Sequence, residues 1–139
     1  MILILKIVNG EEYIGYIEDE ETPVHLMEYV TLNDPMQVVD QKDETGFSVM
    51  RLNDALLLSD GDYLTFKQNH VITYYKPEKY LREYYEKASV YAKNYSRPRL
   101  LNQIKAASKD IESIMREEED SSDPWQNFMN NNNIKPTKH

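Results

Sequence analysis

The chain has no cysteine, so neither a disulfide framework nor a thiolate metal site can hold it together, and the simplest compartment is the reducing cytoplasm. Long hydrophobic runs are missing too. The opening MILILKIVNG is apolar only as far as Leu5, with Lys6 behind it, too short for the hydrophobic region of a signal peptide or for a membrane span. A soluble intracellular protein with no membrane association is expected. Positive charge is in short supply: 16 Lys and Arg stand against 24 Asp and Glu, a net charge of −8, which opposes nonspecific attraction to a polyanion. The three histidines, His25, His70 and His139, lack the clustered spacing of a metal site, so neither a metal nor another cofactor is expected. Carboxylates are plentiful in EDEE (18–21) and REEED (116–120), but such runs are solvated, and nothing supplies a matched acid and base in one pocket. No enzyme is expected.

What charge there is falls unevenly. Residues 1–75 carry 4 basic and 14 acidic groups, net −10, whereas residues 76–109 carry 9 and 3, net +6, and residues 110–139 carry 3 and 7, net −4. Any nucleic acid must therefore find a local positive surface. The 139 residues leave room for one modest core plus an extension.

The first part of the chain reads as short strands. Residues 1–8 and 11–18 alternate, with Leu3, Leu5 and Ile7 on one face, and Asn9-Gly10 between them is a two-residue hairpin signal in which both central positions want positive φ. A third strand, VHLMEYVTL (24–32), is expected to be interrupted by NDP at 33–35 and resumed by MQVVDQ. DETG (43–46) is a turn before FSVMRL (47–52), and LSDGDYLTFK and HVITYYKP give two more strands joined by Gln68-Asn69. Five or six short antiparallel strands joined by tight turns have the rhythm of a small barrel. Gly15 stands inside the second strand, where a glycine weakens pairing; it suits a corner at which a strand bends sharply and no side chain crowds the concave surface.

From Pro77 the period becomes helical. Tyr80, Tyr84, Tyr91 and Tyr95 share a face, Pro77 suits a first-turn position, and SRP (96–98) should end or kink the helix. Interleaved with Lys79, Arg82, Lys87 and Lys93, these tyrosines could stack on a single-stranded nucleic acid. The commoner outcome is a tyrosine stripe packed on the barrel with the lysines outside. A second helical pattern places Leu100, Ile104, Ile111 and Met115 on one stripe, and a polar tail follows in which Trp125, Phe128 and Met129 take the i, i+3, i+4 spacing of one helical turn. That group is a candidate peptide for docking in a partner's groove.

The run LKIVNGEEYIGYIEDEETPVHLMEYV resembles the first motif of the Sm-like (Lsm) family: a hydrophobic strand, an NG turn, then a strand whose central glycine, Gly15, is followed by an apolar residue, Ile17. YLTFKQNHVITYY is similar to the second motif, a tight turn before the final strand. The likeness covers roughly residues 1–75 and is greatest to small Sm-like proteins of marine tailed phages, which would place the protein in a host cytoplasm. In the family's pattern Glu21 takes the place of a loop acid, Pro23 that of a base-stacking aromatic, His25 that of an RNA-contacting Asn, Lys67 that of an Arg and Gln68 that of a Gly.

The resemblance implies a mainly β fold, a small Sm-like five-stranded bent antiparallel barrel (1–76), and the helical period and polar composition beyond it add a C-terminal α-helical extension (77–119, two helices broken near Pro98) and a polar tail (120–139). The resemblance also implies a homo-oligomeric ring of about five to seven subunits, closed by pairing of the last two strands between neighbours. Single-stranded RNA would lie at pore-side loops, on Glu21, His25, Lys67, Gln68 and Asn69. The alternative is an acidic oligomeric scaffold that recruits a protein partner through the helical extension and Trp125, Phe128 and Met129.

Overall fold

The computed structural model describes residues 1–120. Six strands, β1 (Ile2–Ile7), β2 (Glu12–Tyr16), β3 (Tyr29–Lys42), β4 (Ser48–Asp54), β5 (Tyr63–Lys67) and β6 (Val71–Tyr75), precede the helices α1 (Lys79–Tyr91) and α2 (Arg97–Asp120). All pairings are antiparallel. The strand order is β4-β3-β2-β1-β6, with β5 also on β3. This is a mainly β fold with a helical C-terminal part, as expected, but the sheet does not close. β5 and β6, joined by a 3-10 turn (Gln68–His70), pair with β3 and β1 and not with each other.

The expected interruption at 33–35 is instead a bend within one 14-residue strand. Asp34 takes φ +49, a left-handed conformation that Asp tolerates better than most residues. Pro35 brings no N–H to be left unpaired and is fully buried. Two residues, Asp34 and Pro35, oppose the single Gly15 of β2, because the register runs from Ile14↔Met36 to Tyr16↔Asn33. That is a β-bulge, and it turns β3 so that its first half pairs with β5 and its second half with β4 along the same edge. The two partners along that edge, β4 and β5, are separate strands joined by residues 55–62. Conversely, the beginning of the expected third strand is not extended: Val24–Leu26 form a 3-10 turn.

Both early turns use glycine in one way. Gly10 (φ +88) and Gly46 (φ +87) each donate to the carbonyl three residues back, Ile7 and Asp43, at 2.9 and 3.1 Å. The Asn9-Gly10 turn is thus a three-residue loop with only the glycine left-handed, rather than the expected two-residue one.

The apolar opening run is buried on both faces. Leu3 and Leu5 join Ile17, Val24, Val30 and Leu32 in the concave core, while Ile4 faces Ile14, Met36, Leu52, Tyr85 and Ala92 in a second core beneath α1. α1 begins after Pro77, with Glu78 as its cap: the carboxylate accepts from the N–H groups of Tyr80 (2.9 Å) and Leu81 (3.4 Å). Tyr85 ties the helix to the bend, its hydroxyl donating to the carbonyls of Asn33 (3.2 Å) and Asp34 (2.9 Å). Ahead of Pro98 the helix loosens into a π segment (Ala92–Ser96), and α2 starts with Pro98 in its first turn, where a missing N–H is harmless.

Residues 1–98 form one compact unit, and the chain from Arg99 a second. In α2, Ile104, Ile111 and Met115 of the expected stripe are exposed. No helix among the described residues is long and apolar enough to cross a membrane.

Candidate nucleic-acid interface

The 3-10 turns Val24–Leu26 and Gln68–His70 come from distant parts of the sequence, and the sheet brings them side by side. Tyr29 at the start of β3 is the cross-strand partner of Lys67 at the end of β5, and the Gln68 N–H donates to the Glu28 carbonyl at 3.0 Å. Between them lies a groove of ≈ 690 Å³ whose wall includes His25, Leu26, Tyr29, Lys67, Gln68 and Asn69. Four of the five residues expected to contact RNA are therefore neighbours. The fifth, Glu21, does not line this groove; it sits in the turn ordered by Asp19, whose carboxylate accepts from the Glu21 and Thr22 N–H groups at 3.0 Å.

The four are not equivalent. With its amide nitrogen turned toward the Val24 and Met27 carbonyls, at 2.8 and 3.1 Å, Gln68 locks the two turns together, so its side chain is spent on structure. Lys67 and Asn69 are exposed and supply a cation and an amide. His25 is exposed as well, its Nδ1 3.2 Å from the Tyr74 hydroxyl, which orients the ring. Glu28 also lines the groove, so an anion must enter on the Lys67 side.

Leu26, Tyr29 and Tyr74 are exposed flat or apolar surfaces at or beside the groove. The sequence reading did not assign them to the site; their signal was an aromatic in an alternating strand, which burial and binding share. A cation, an imidazole, an amide and aromatic faces can hold a phosphate and an unpaired base.

The tyrosine stripe of α1 is not packed as expected. Tyr85 alone is buried, at 4 % exposure, whereas Tyr80, Tyr84, Tyr91 and Tyr95 are exposed. The reason is register: the sheet receives Leu81, Tyr85, Ala88 and Ala92, one step around the helix from the four tyrosines. Trp125, Phe128 and Met129 lie outside the described residues. No protein-family model matches the chain, and no curated protein matches its sequence.

Proposed function

We propose that the protein is an Sm-like, non-catalytic RNA-binding protein that assembles with copies of itself into a ring of about five to seven subunits. The observation that carries this reading is the convergence of His25, Lys67 and Asn69 on one groove between two tight turns. Assembly is favoured by the sheet's ends. Among the described residues β5 and β6 each have one unpaired edge, and Tyr63, Ile72, Tyr74 and Tyr75 on them are exposed. Exposed edges with apolar side chains invite another strand, and β5 of one copy can pair with β6 of the next. Each groove would then repeat around a central opening, giving a collar of Lys67 side chains in an otherwise acidic body.

Native mass spectrometry of the full chain, with and without short A-rich or U-rich oligonucleotides, tests both parts. A ring that takes up RNA is expected. Lys67→Glu should weaken RNA binding at least about tenfold and leave the oligomer intact, and Ile72→Lys should dissociate it. A monomer at tens of micromolar sinks the ring. An oligomer without RNA at moderate salt leaves the acidic scaffold, whose partner would be sought through Trp125→Ala.

A further inference from the structure

A second groove, of ≈ 760 Å³, runs between α1 and the outer edge of β4. It shares no residue with the groove at Lys67 and stands without it. Its volume is that of a small-ligand site. Tyr84, Lys87 and Tyr91 of α1 form one wall, Asn53 belongs to the other, and Leu52 and Ala88 are among its apolar residues. With Tyr80, the three helix residues fall at i, i+4, i+7 and i+11, a single stripe of an α-helix.

Tyr84 is fixed in place by the Leu52 N–H, which donates to its hydroxyl at 3.4 Å. Tyr91 is 60 % exposed, and its ring lies 5.4 Å from that of Tyr95, tilted by 32°, so the aromatic surface continues along the helix. Three features distinguish this surface from an ordinary apolar face awaiting a protein. Two tyrosines line it beside Leu57 and Met36. Its cation, Lys87, stands between the tyrosines. Among the described residues one carboxylate lies in its wall, that of Asp54, and it is engaged by Arg97 through two hydrogen bonds, of 2.5 and 2.8 Å. Glu83 and Glu86 of the same helix are not in the wall. The helical wall comes from residues 76–109, whose net charge is +6, and the other wall from the acidic residues 1–75.

We infer that this groove binds single-stranded RNA, with bases stacked on Tyr84 and Tyr91, a phosphate on Lys87 and a base edge at the Asn53 amide. Aromatic faces interleaved with cations bind unpaired strands with little sequence preference, because every base has a face to stack. RNA held at the turns could thereby also be held along the outer surface of the same subunit.

The test uses the full chain carrying Lys67→Glu, which silences the first groove, and fluorescein-labelled oligo(U) and oligo(A) at low salt. Residual binding is expected. Adding Tyr91→Ala should weaken it about tenfold, as loss of one stacked base does, whereas Tyr91→Phe should leave it unchanged. Lys87→Glu should weaken it and flatten the slope of log affinity against log salt by about 0.7, the value for one phosphate of a single strand. Crosslinks from 5-iodouridine should fall on the Tyr84–Tyr95 peptide, and circular dichroism checks that each variant is folded. The inference fails if the Lys67→Glu protein binds no RNA, a result that leaves the first groove's role standing. It fails equally if Tyr91→Ala binds like its parent, or if uridine monophosphate competes as well as the strand. A change in oligomeric state at constant RNA affinity would make this a protein interface and also overturn it.

Discussion

A Cβ placed on Gly15 would lie 2.8 Å from the Leu32 Cβ and 3.1 Å from the Asn33 carbonyl oxygen. The middle of β2 therefore touches the bent part of β3 with no room for a side chain, and the bulge at Asp34 and Pro35 depends on that closeness. Gly15→Ala should cost about 1–3 kcal/mol, the usual penalty for forcing atoms into a packed interior. Urea denaturation gives the value, and a midpoint equal to that of the parent would show that the bend does not need the glycine.

Tyr85 is the bolt between helix and bend. Its hydroxyl is shared by the backbone carbonyls of Asn33 and Asp34 at the bulge. In Tyr85→Phe the ring still fills its place, but both carbonyls lose their donor, and a loss of about 1–3 kcal/mol is expected. The far-ultraviolet spectrum should be unchanged, which separates this loss from a failure of α1 to form.

Arg97 and Asp54 are 15 % and 7 % exposed at their side chains, so removing the guanidinium leaves a carboxylate with little water to solvate it. Arg97→Met should destabilise the fold by about 2–3 kcal/mol, and Arg97→Lys should recover only part of this because an ammonium cannot make both hydrogen bonds in the same plane. The double variant Arg97→Met with Asp54→Asn should be more stable than Arg97→Met alone. A double variant no more stable would show that the orphaned carboxylate is not the source of the loss.

Alkali should weaken the fold from about pH 10 upward. Burial, aided by a hydrogen bond to Glu11, pushes the Tyr13 hydroxyl up to about 12, while in the unfolded chain it ionises near its ordinary value of about 10. The folded state therefore keeps its proton over an interval in which the unfolded state has already released it, so the stabilisation is complete below the lower value and disappears as pH climbs through the upper one. Burial raises Tyr85 as well, so the effect is shared. Denaturation midpoints between pH 9 and pH 12 should fall less steeply in Tyr13→Phe than in the parent; parallel curves would refute the assignment.

The sequence revealed most where one residue type has one physical use. Asn9-Gly10 marks a turn because only Gly10 tolerates its positive φ, and Gly15 marks a close approach because any other residue brings a Cβ. Ten residues on from Gly15, His25 lines one groove with Lys67. Asp34-Pro35 misled because the same pair can end a strand or bend it; what decided was the glycine waiting opposite, a contact between distant residues that local pattern does not encode. Gln68 looked like a ligand donor, but two backbone carbonyls claimed it. The α1 tyrosines shared a stripe, as the spacing required. The stripe that met the sheet is the adjacent one, where Leu81, Ala88 and Ala92 pack beside Tyr85 in the second core.

The register that joins Leu5 to Tyr74 and Ile4 to Tyr75 also orders events during synthesis. The β1–β2 hairpin and its additions of β3 and β4 involve near neighbours, whereas β1 pairs with β6 only once the chain has been made as far as Tyr75, across the longest loop of the sheet. Every nascent copy thus passes through a stage in which a very apolar strand has an open edge and no companion. A polypeptide cut short before Val71 would be held at that stage, exposed to aggregation on its way from the ribosome.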